Sequence, residues 1–314
     1  MSNSEIERAA QALLAGNLVA FPTETVYGLG ADATNALAVA KIYKAKGRPQ
    51  DHPVIVHVSE FNVFQEWVTD IPDYCTKLAK DFWPGPMTLV LKRSSLAADF
   101  ITGGQDTVGV RIPGNETALE LLRRFEALGG KGVAAPSANR FGKVSPTTSQ
   151  AVLDELQDFL GEDDLVVDGG DCEVGLESTI IDCTGDVPKI LRYGAITPSM
   201  IHELTNLQPL ETESSIRVSG SLKSHYAPNV ELVLNMQPVA GDGLIALAEV
   251  PTPEGVVRVA APLSNVEFGQ QLYSALRKAD QLGINRLVAI TPEGDELSLA
   301  ISDRLTRASN REDK

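Results

Sequence analysis

The sequence predicts an α/β protein with a strand-rich first domain and a smaller parallel α/β second domain. Short apolar runs bounded by Gly and Pro recur over the first two thirds of the 314 residues, and such runs are typical of short strands. In the last third, strand-like runs alternate with helical patterns, which favours a parallel sheet. The length is more than one core requires, and 43% hydrophobic residues with 22% charged ones indicate a folded chain.

The N-terminal stretch predicts a helix and carries no targeting signal. Ser4 and Glu7 form a capping box, and Gly16 ends the helical pattern. The apolar face is too short and the start too acidic for a signal peptide. No apolar run reaches the roughly 18 residues of a membrane span. We therefore expect a cytoplasmic protein without a membrane segment.

The stretch 18–58 predicts a strand, a polar loop, a helix, a basic turn and a second strand. The first strand covers 18–21 and stops at Pro22, and the second covers 53–58. Between them, apolar residues at helical spacing predict a helix over 35–46. A G-x-G-x-x-A pattern lies at 28–33. It does not join strand to helix directly, as a dinucleotide fingerprint requires, so a dinucleotide oxidoreductase is disfavoured.

The basic turn is an island of positive charge in a chain of formal net charge -15. Lys41 and Lys44 fit a solvated helix face or a helix C-terminus equally well. Lys46 and Arg48 differ, because Gly47 and the following proline hold them on a stiff turn. The compact ammonium group of a lysine beside the planar guanidinium of an arginine suits an oxyanion such as a polyphosphate. The acidic balance disfavours a broad nucleic-acid surface.

Two later segments add candidate binding groups. Alternation over 107–113 places Thr107 and Arg111 on one strand face, and Gly109 leaves room for a ligand between them. A buried strand at 133–136 leads into a polar loop with small hydroxyl and amide side chains. The remaining predicted elements are strands at 87–92, 165–168, 178–182, 190–192, 230–234, 256–260 and 286–290, and helices at 117–128, after Thr197, and at 268–279 and 297–308.

The cysteines predict neither a disulfide framework nor a zinc site. Cys75, Cys172 and Cys183 are odd in number, widely spaced and without a C-x-x-C pair. That usage is typical of reduced intracellular thiols.

Several ordered motifs resemble the YrdC family of threonylcarbamoyl-AMP synthases over about residues 5–205. The motifs are PTETVYGLG, KAKGRP, HPVIVH, TVGVRIP, APSAN and ESTI. The later SGSLKSHYAP at 219–228 resembles the linker of the longer, two-domain members. The resemblance implies a catalytic domain at 1–205 built on a twisted mixed sheet with helices, a linker at 206–228, and a small Rossmann-like domain at 229–314.

The resemblance also implies a reaction and its partners. L-threonine and bicarbonate give N-carboxythreonine, which attacks the α-phosphate of ATP to yield threonylcarbamoyl-AMP and pyrophosphate. A partner tRNA threonylcarbamoyl transferase then uses the product. Mg²⁺ would be held mostly by phosphates and water, and catalysis would rest on positioning and charge. An RNA-binding module of the same fold without catalysis is the alternative, and it would require salt-dependent affinity for tRNA.

Carried over by motif, the site residues divide into two groups. The threonine site is expected to contain Thr25, His57, Arg111, Ala135 and Ser178. The ATP site is expected to contain Lys46, Arg48, His52, Thr107, Ser137, Asn139, Ser145 and Arg192, with His225 or Tyr226 of the linker closing over it. Lys46 and Arg48 are the expected catalytic cations. His52 departs from the Asn that longer members often carry.

Overall fold

The computed structural model describes residues 3–211, 214–220 and 225–310. Its helices are α1 Asn3–Leu14, α2 Ala36–Lys46, α3 Phe61–Trp67, α4 Asp73–Phe82, α5 Asp99–Thr102, α6 Glu116–Ala127, α7 Ser149–Leu156, α8 Pro198–Thr205, α9 Asn265–Gln281 and α10 Leu297–Ser309. Its strands are β1 Val19–Phe21, β2 Gly28–Asp32, β3 Val56–His57, β4 Val68–Thr69, β5 Met87–Arg93, β6 Thr107–Arg111, β7 Val133–Ala134, β8 Leu165–Val166, β9 Thr179–Asp182, β10 Lys189–Arg192, β11 Leu232–Leu234, β12 Gly243–Ile245, β13 Val257–Ala260 and β14 Leu287–Ala289. Within the described ranges, no helix has the length and apolarity needed to span a bilayer.

The larger sheet is mixed, as expected for the first part of the chain. Its strands run in the order β10-β9-β5-β6-β3-β7-β2-β1-β8, and β4 pairs with β5 at one side. The pairs β1–β8, β3–β6 and β5–β9 are parallel, and the other pairs are antiparallel. The predicted mixed sheet with helices is confirmed. Its short central strands bring segments that are distant in sequence to one place.

The smaller sheet contains β11, β14, β12 and β13 in that order, and all its pairs are parallel. The predicted parallel α/β arrangement is confirmed. The apolar face of α9, which includes Phe268, Leu272 and Leu276, is buried. The same core cluster contains Val26 and Leu176 of the first part of the chain. The small sheet and its helices therefore pack directly onto the larger unit.

The stretch 28–32 was predicted as loop, and the structure corrects this to strand β2. β2 lies between β1 and β7 and pairs antiparallel with both. Gly30 faces the side chains of Phe21 and Val133, and a Cβ there would lie 2.8 Å from each. The glycines are thus needed for close packing against large neighbours. Small residues carry little strand propensity, so the sequence pattern did not indicate a strand.

Other elements that the pattern did not predict are α3, α4, α5, α7, β4 and β12. α3 has only seven residues, which is below the length at which a helix is stable alone. Its stability comes from packing of Phe64 and Trp67, both of which are fully buried. These elements depend on tertiary contacts, so local periodicity is a weak guide to them.

Candidate active site

The basic turn begins where helix α2 ends. Asn35 caps the helix N-terminus by accepting from the backbone N–H groups of residues 37 and 38. Gly47 ends the helix in the left-handed conformation, with φ of 63°. A glycine is favoured there because a side chain would strain the backbone. This cap places Lys46 and Arg48 on opposite sides of one fixed residue.

Lys46 is buried and held by backbone oxygens. Its Nζ donates to the carbonyl oxygens of Ser137, at 2.6 Å, and Asn139, at 2.5 Å. Burial lowers the pKa of Lys46 well below its ordinary value, and the Arg48 and Arg140 charges lower it further. The loop carbonyls thus orient a desolvated ammonium whose charge is not offset by a bound carboxylate.

Arg48 is buried in the same region. Its Nη2 donates to the carbonyl oxygen of Pro53 at 2.7 Å and to Ser219 Oγ at 3.2 Å. Its Nε has no hydrogen-bond partner in the part of the chain that is described. Burial lowers the pKa of Arg48 to about 10. A donor without a partner at a buried site is available for a ligand.

Arg192, at the end of β10, is the third buried cation. It donates to the carbonyl oxygen of Ser178 at 2.9 and 3.1 Å, to Ser178 Oγ at 3.1 Å and to the carbonyl oxygen of Ser219 at 2.9 Å. Burial lowers its pKa. Among the described residues, none of Lys46, Arg48 and Arg192 forms an ion pair within 4 Å. We call these three residues the cationic end of the site.

Arg111 and Glu24 form a second, different end. The parallel register of β3 and β6 places His57 beside Arg111. Arg111 Nη2 lies 2.7 Å from Glu24 Oε1, so the two side chains form an ion pair, although the angles are not those of a hydrogen bond. Arg111 Nη1 donates a hydrogen bond to Thr25 Oγ1 at 2.9 Å. Burial and then the Arg111 charge lower the pKa of His57 to about 3, so the ring is neutral. We call this group the paired end.

Both ends open into one cavity of about 750 Å³. Thirteen of the fifteen site residues predicted from the sequence line it, and they come from both predicted groups. These thirteen are Thr25, Lys46, Arg48, His52, His57, Arg111, Ala135, Ser137, Asn139, Ser178, Arg192, His225 and Tyr226. Their shared location is a finding of the structure, and the substrate that each contacts stays a prediction.

Two of the predicted residues lie outside this lining. Thr107 lines an adjoining cavity of about 310 Å³, which shares Ile55, Val218 and Ser219 with the first. Ser145 lies behind the wall, where its Oγ donates to Glu177 Oε1 at 2.7 Å. Their assigned roles in ATP binding stay predictions, and Ser145 can act on the cavity only through its neighbours.

The linker forms part of the cavity wall. Val218, Ser219 and Gly220 line it together with His225 and Tyr226. Residues 221–224 of the SGSLKSHYAP motif, and residues 212–213 of the predicted linker, lie outside the described residues. The described parts of the linker therefore cover the cationic end.

Sequence reasoning missed four residues that shape the site. Glu24 and Glu177 lie inside the PTETVYGLG and ESTI motifs, but the motifs alone gave them no role. Both are buried and both contact arginines. Tyr273 and Arg304 belong to the small unit and reach Glu177 across 96 and 127 residues of sequence. Neither motif is an apolar run, so the local pattern did not indicate that these carboxylates are buried and need partners.

The arrangement suits two ligands of different charge. Cations without carboxylate partners favour a polyanion as the ligand. Such cations can stabilise the negative charge that develops in phosphoryl or nucleotidyl transfer. The paired end carries one positive and one negative group, which favours a zwitterion such as an amino acid. The described residues contain no group of three or more His, Cys, Asp or Glu side chains that could hold a metal.

Two family models match successive parts of the chain. A family model described as "Telomere recombination", which covers Sua5, YciO and YrdC proteins, matches residues 11–194. A second, described as the C-terminal domain of threonylcarbamoyl-AMP synthase, matches residues 196–310. The threonylcarbamoyl-AMP synthase of Pyrococcus abyssi is 38% identical over 97% of this chain and 94% of its own length. That of Bacillus subtilis is 34% identical over 98% and 94%.

The fold comparison gives a similar result over both parts of the chain. The crystal structure of P. abyssi Sua5 complexed with L-threonine superposes with a TM-score of 0.88 at 34% identity. The superposition covers 98% of this chain and 95% of that one.

Proposed function

Since the chain belongs to the Sua5/YciO/YrdC family in its two-domain threonylcarbamoyl-AMP synthase form, we propose that it makes threonylcarbamoyl-AMP, pyrophosphate and water from L-threonine, bicarbonate and ATP. One observation carries the proposal: a single cavity joins a paired end that suits an amino acid to a cationic end that suits a triphosphate. The relatives are named for this product, and one was crystallised with L-threonine.

The proposed reaction needs no nucleophile from the protein. The carbamate oxygen of N-carboxythreonine attacks the α-phosphorus of ATP, a new O–P bond forms, and the bond to the bridging oxygen breaks to release pyrophosphate. Arg48 and Lys46 stabilise the negative charge that grows on the phosphoryl oxygens. The backbone contacts of both cations fix them before the substrate arrives, so little reorganisation is needed.

At the paired end, the proposed ligand is L-threonine. The Arg111 guanidinium would bind the carboxylate, and Glu24 and Thr25 would supply acceptors for the ammonium and hydroxyl. His57 is neutral at physiological pH because its pKa is lowered to about 3. It can therefore donate or accept one hydrogen bond without adding charge to the site.

Mg²⁺ is proposed to enter with ATP as part of that substrate. Both oxygens of Glu177 already accept hydrogen bonds from protein groups, and the described residues offer no cluster of metal ligands. The side chains that are described do not fit a resident metal. Phosphate oxygens and water would hold the ion, as Mg²⁺ commonly prefers.

The proposed product has a downstream use in tRNA modification. We propose that a tRNA threonylcarbamoyl transferase receives the threonylcarbamoyl group in the cytoplasm. The three free, buried cysteines are compatible with a reducing compartment. Direct strong RNA binding is disfavoured, because Lys46 and Arg48 are only 3% and 9% exposed and cannot face a phosphate backbone.

The test is pyrophosphate release from ATP, measured with and without L-threonine and with and without bicarbonate. We expect release only when both are present, because the carbamate is the attacking group. Release that ignores threonine would contradict the proposal. Salt-dependent tRNA affinity in the absence of release would favour the RNA-binding alternative instead.

A further inference from the structure

Glu177 is a buried carboxylate in the cavity wall, and groups behind the wall hold it. Its Oε1 accepts a hydrogen bond from Ser145 Oγ at 2.7 Å. Its Oε2 accepts from the Tyr273 hydroxyl at 2.7 Å and from Arg304 Nε at 2.9 Å. Tyr273 lies on α9 and Arg304 on α10. The small domain thus supplies both groups that hold one oxygen of this wall residue.

Arg304 directs every nitrogen of its guanidinium to protein groups. Nη1 donates to Asp303 Oδ2 at 2.7 Å, and Nη2 donates to the carbonyl oxygen of Tyr193 at 2.8 Å. Its side chain has no exposed surface. It is not among the residues that line the cavity. Any effect of Arg304 on a ligand must therefore pass through the residues that it holds.

Tyr226 is the second wall residue that the small domain holds. Its ring stacks on that of Tyr273, with centroids 5.5 Å apart and planes at 29°. The Arg304 guanidinium lies 5.5 Å from the centroid of the same ring. The backbone of Tyr226 has a φ of 63°, which is unfavourable for a non-glycine residue. Such a conformation persists where surrounding contacts impose it.

The linker backbone closes against the same ring. A Cβ at Gly220 would lie 2.5 Å from the Tyr226 hydroxyl oxygen, so only a glycine fits there. The backbone N–H of His225 donates to the carbonyl oxygen of Arg307 on α10 at 3.2 Å. The position of the linker over the cationic end therefore follows the position of α10.

The charges support a true ion pair between Glu177 and Arg304. Burial raises the pKa of Glu177, but the Arg304 and Arg192 charges and the hydrogen bonds from Tyr273 and Ser145 lower it to about 2. Removing one partner of a buried pair leaves an unpaired charge, which costs more than the pair itself contributes. Arg304 of the small domain therefore supplies the counter-charge of Glu177 in the wall.

From these contacts we propose that Arg304 is a positioning residue of the synthase site: it fixes Glu177 and Tyr226 and thereby makes the small domain part of the nucleotide end of the cavity. The inference rests on the proposed function, because the ATP role of the cationic end comes from that proposal. It assigns a role to the small domain, for which the sequence predicted no site residue.

The test compares Arg304→Met with a matched control, Arg286→Met, in the full chain. Arg286 Nε pairs with the buried Asp242 at 3.0 Å inside the small domain and does not line the cavity. For Arg304→Met we expect an ATP KM at least about tenfold higher, because small misplacements of positioned groups are costly. The Kd for L-threonine, measured by calorimetry, should stay within about twofold. Arg286→Met should lower the melting temperature but leave the ATP KM unchanged.

Two further variants separate positioning from folding. Glu177→Gln combined with Arg304→Met removes both charges, so the melting temperature should recover while the ATP KM stays at least about fivefold high, because Tyr226 has lost its support. Arg304→Lys keeps the charge but not the planar contact, so it should rescue only part of the ATP KM. If Arg304→Met does not fold, these two variants carry the test.

Three outcomes would overturn the inference. The double variant could recover wild-type melting and wild-type ATP KM together, Arg304→Met could match Arg286→Met in its kinetics, or threonine binding could weaken as much as ATP binding. The Kd of a non-hydrolysable ATP analogue provides a readout that does not need turnover. If the wild-type protein binds both ligands but releases no pyrophosphate, the proposed function fails and the Arg304 comparison can still be made from that Kd.

Discussion

The two ends of the cavity bury arginines in opposite ways. At the paired end, Arg111 lies 2.7 Å from Glu24 and donates to Thr25. At the cationic end, Arg48 donates only to neutral oxygens, those of Pro53 and Ser219. A buried charge without an ionic partner is costly. The difference indicates that the paired end balances its charge without a ligand, whereas the cationic end lacks a counter-charge within 4 Å among the described residues.

This contrast separates stability from function within one cavity. The ion pair between Arg111 and Glu24 is a structural contact as well as a binding group. The cations at the other end disfavour the empty folded state and are retained for what they bind. Changes at the two ends should therefore have opposite effects on the balance between folding and catalysis.

The largest expected effect comes from Arg48→Ala. In the proposed mechanism this variant lacks charge stabilisation at the α-phosphate, so threonine-dependent pyrophosphate release should fall by roughly 10²–10³-fold. The melting temperature should change little, because the lost cation has no ionic partner among the described residues. Release kinetics and a thermal melt measure both effects.

A matched control for that variant is Arg93→Ala. Arg93 lies on β5 of the same sheet and pairs with Asp99 at 2.6 Å, away from the cavity. Its removal should leave pyrophosphate release unchanged. A wild-type rate in Arg48→Ala would contradict the catalytic role given to the cationic end.

A smaller effect is expected when the carboxylate of the paired end is removed, because its arginine then lacks an ionic partner, as the cations of the cationic end do. Glu24→Gln leaves Arg111 without its counter-ion and removes the acceptor that we propose for the threonine ammonium. The KM for L-threonine should rise by about 10- to 10²-fold, as expected for a lost hydrogen bond to a charged group, while the KM for ATP stays within about twofold. Steady-state kinetics with each substrate varied in turn would measure this.

Glu66→Gln is a suitable comparison, because Glu66 pairs with Lys131 at 3.0 Å on the surface. Surface pairs contribute little, so neither KM should change. If Glu24→Gln raised the ATP KM as much as the threonine KM, the division of the cavity into two ends would be wrong.

The smallest expected effect is on the pH dependence of stability. It arises from a feature that the two ends share, because each contains a buried neutral histidine. Burial, then the Arg111 charge, lowers the pKa of His57 to about 3; burial is also the main cause that lowers the pKa of His225 to about 3. In the unfolded chain both groups titrate near pH 6.5. Between those values the unfolded chain binds more protons, so stability is full above about pH 6.5 and falls as the pH drops.

The expected slope is at most about 1.4 kcal/mol per pH unit for each histidine. His57→Gln should therefore flatten the decline in melting temperature between pH 6.5 and 4.5, because one of the two titrations is lost. His202→Gln, at an exposed position of α8, should leave the decline unchanged. An unaltered slope in His57→Gln would show that this ring does not titrate as described.

Local patterns allowed much of the first domain, the basic turn and the face of Arg111 to be predicted, whereas most of the cavity lining was implied by the motif resemblance. Lys46, Gly47 and Arg48 are consecutive, so their charge and their fixed turn can be inferred together. Arg111 lies in a strand of strict alternation, which assigns its face. Each of these inferences needed only a few neighbouring residues.

The missed features depend on contacts between distant segments. Strand β2 is built from small residues that pack under Phe21 and Val133, so its own pattern does not show it. Two partners of Glu177, Tyr273 and Arg304, lie on helices whose periodicity indicates only a buried face. Arg304 occupies such a face, and no local rule distinguishes an arginine that reaches a glutamate 127 residues away from one at the surface.

The unpaired cations have a consequence for the amount of this protein in a cell. Ligands that bind only the native state add stability in proportion to the logarithm of their concentration, and here an anion would also relieve the repulsion between Lys46 and Arg48. The empty protein should open more often and meet proteases more often than the nucleotide-bound one. Its half-life would then rise and fall with the supply of ATP, so energy-depleted cells would lose the catalyst as well as its fuel.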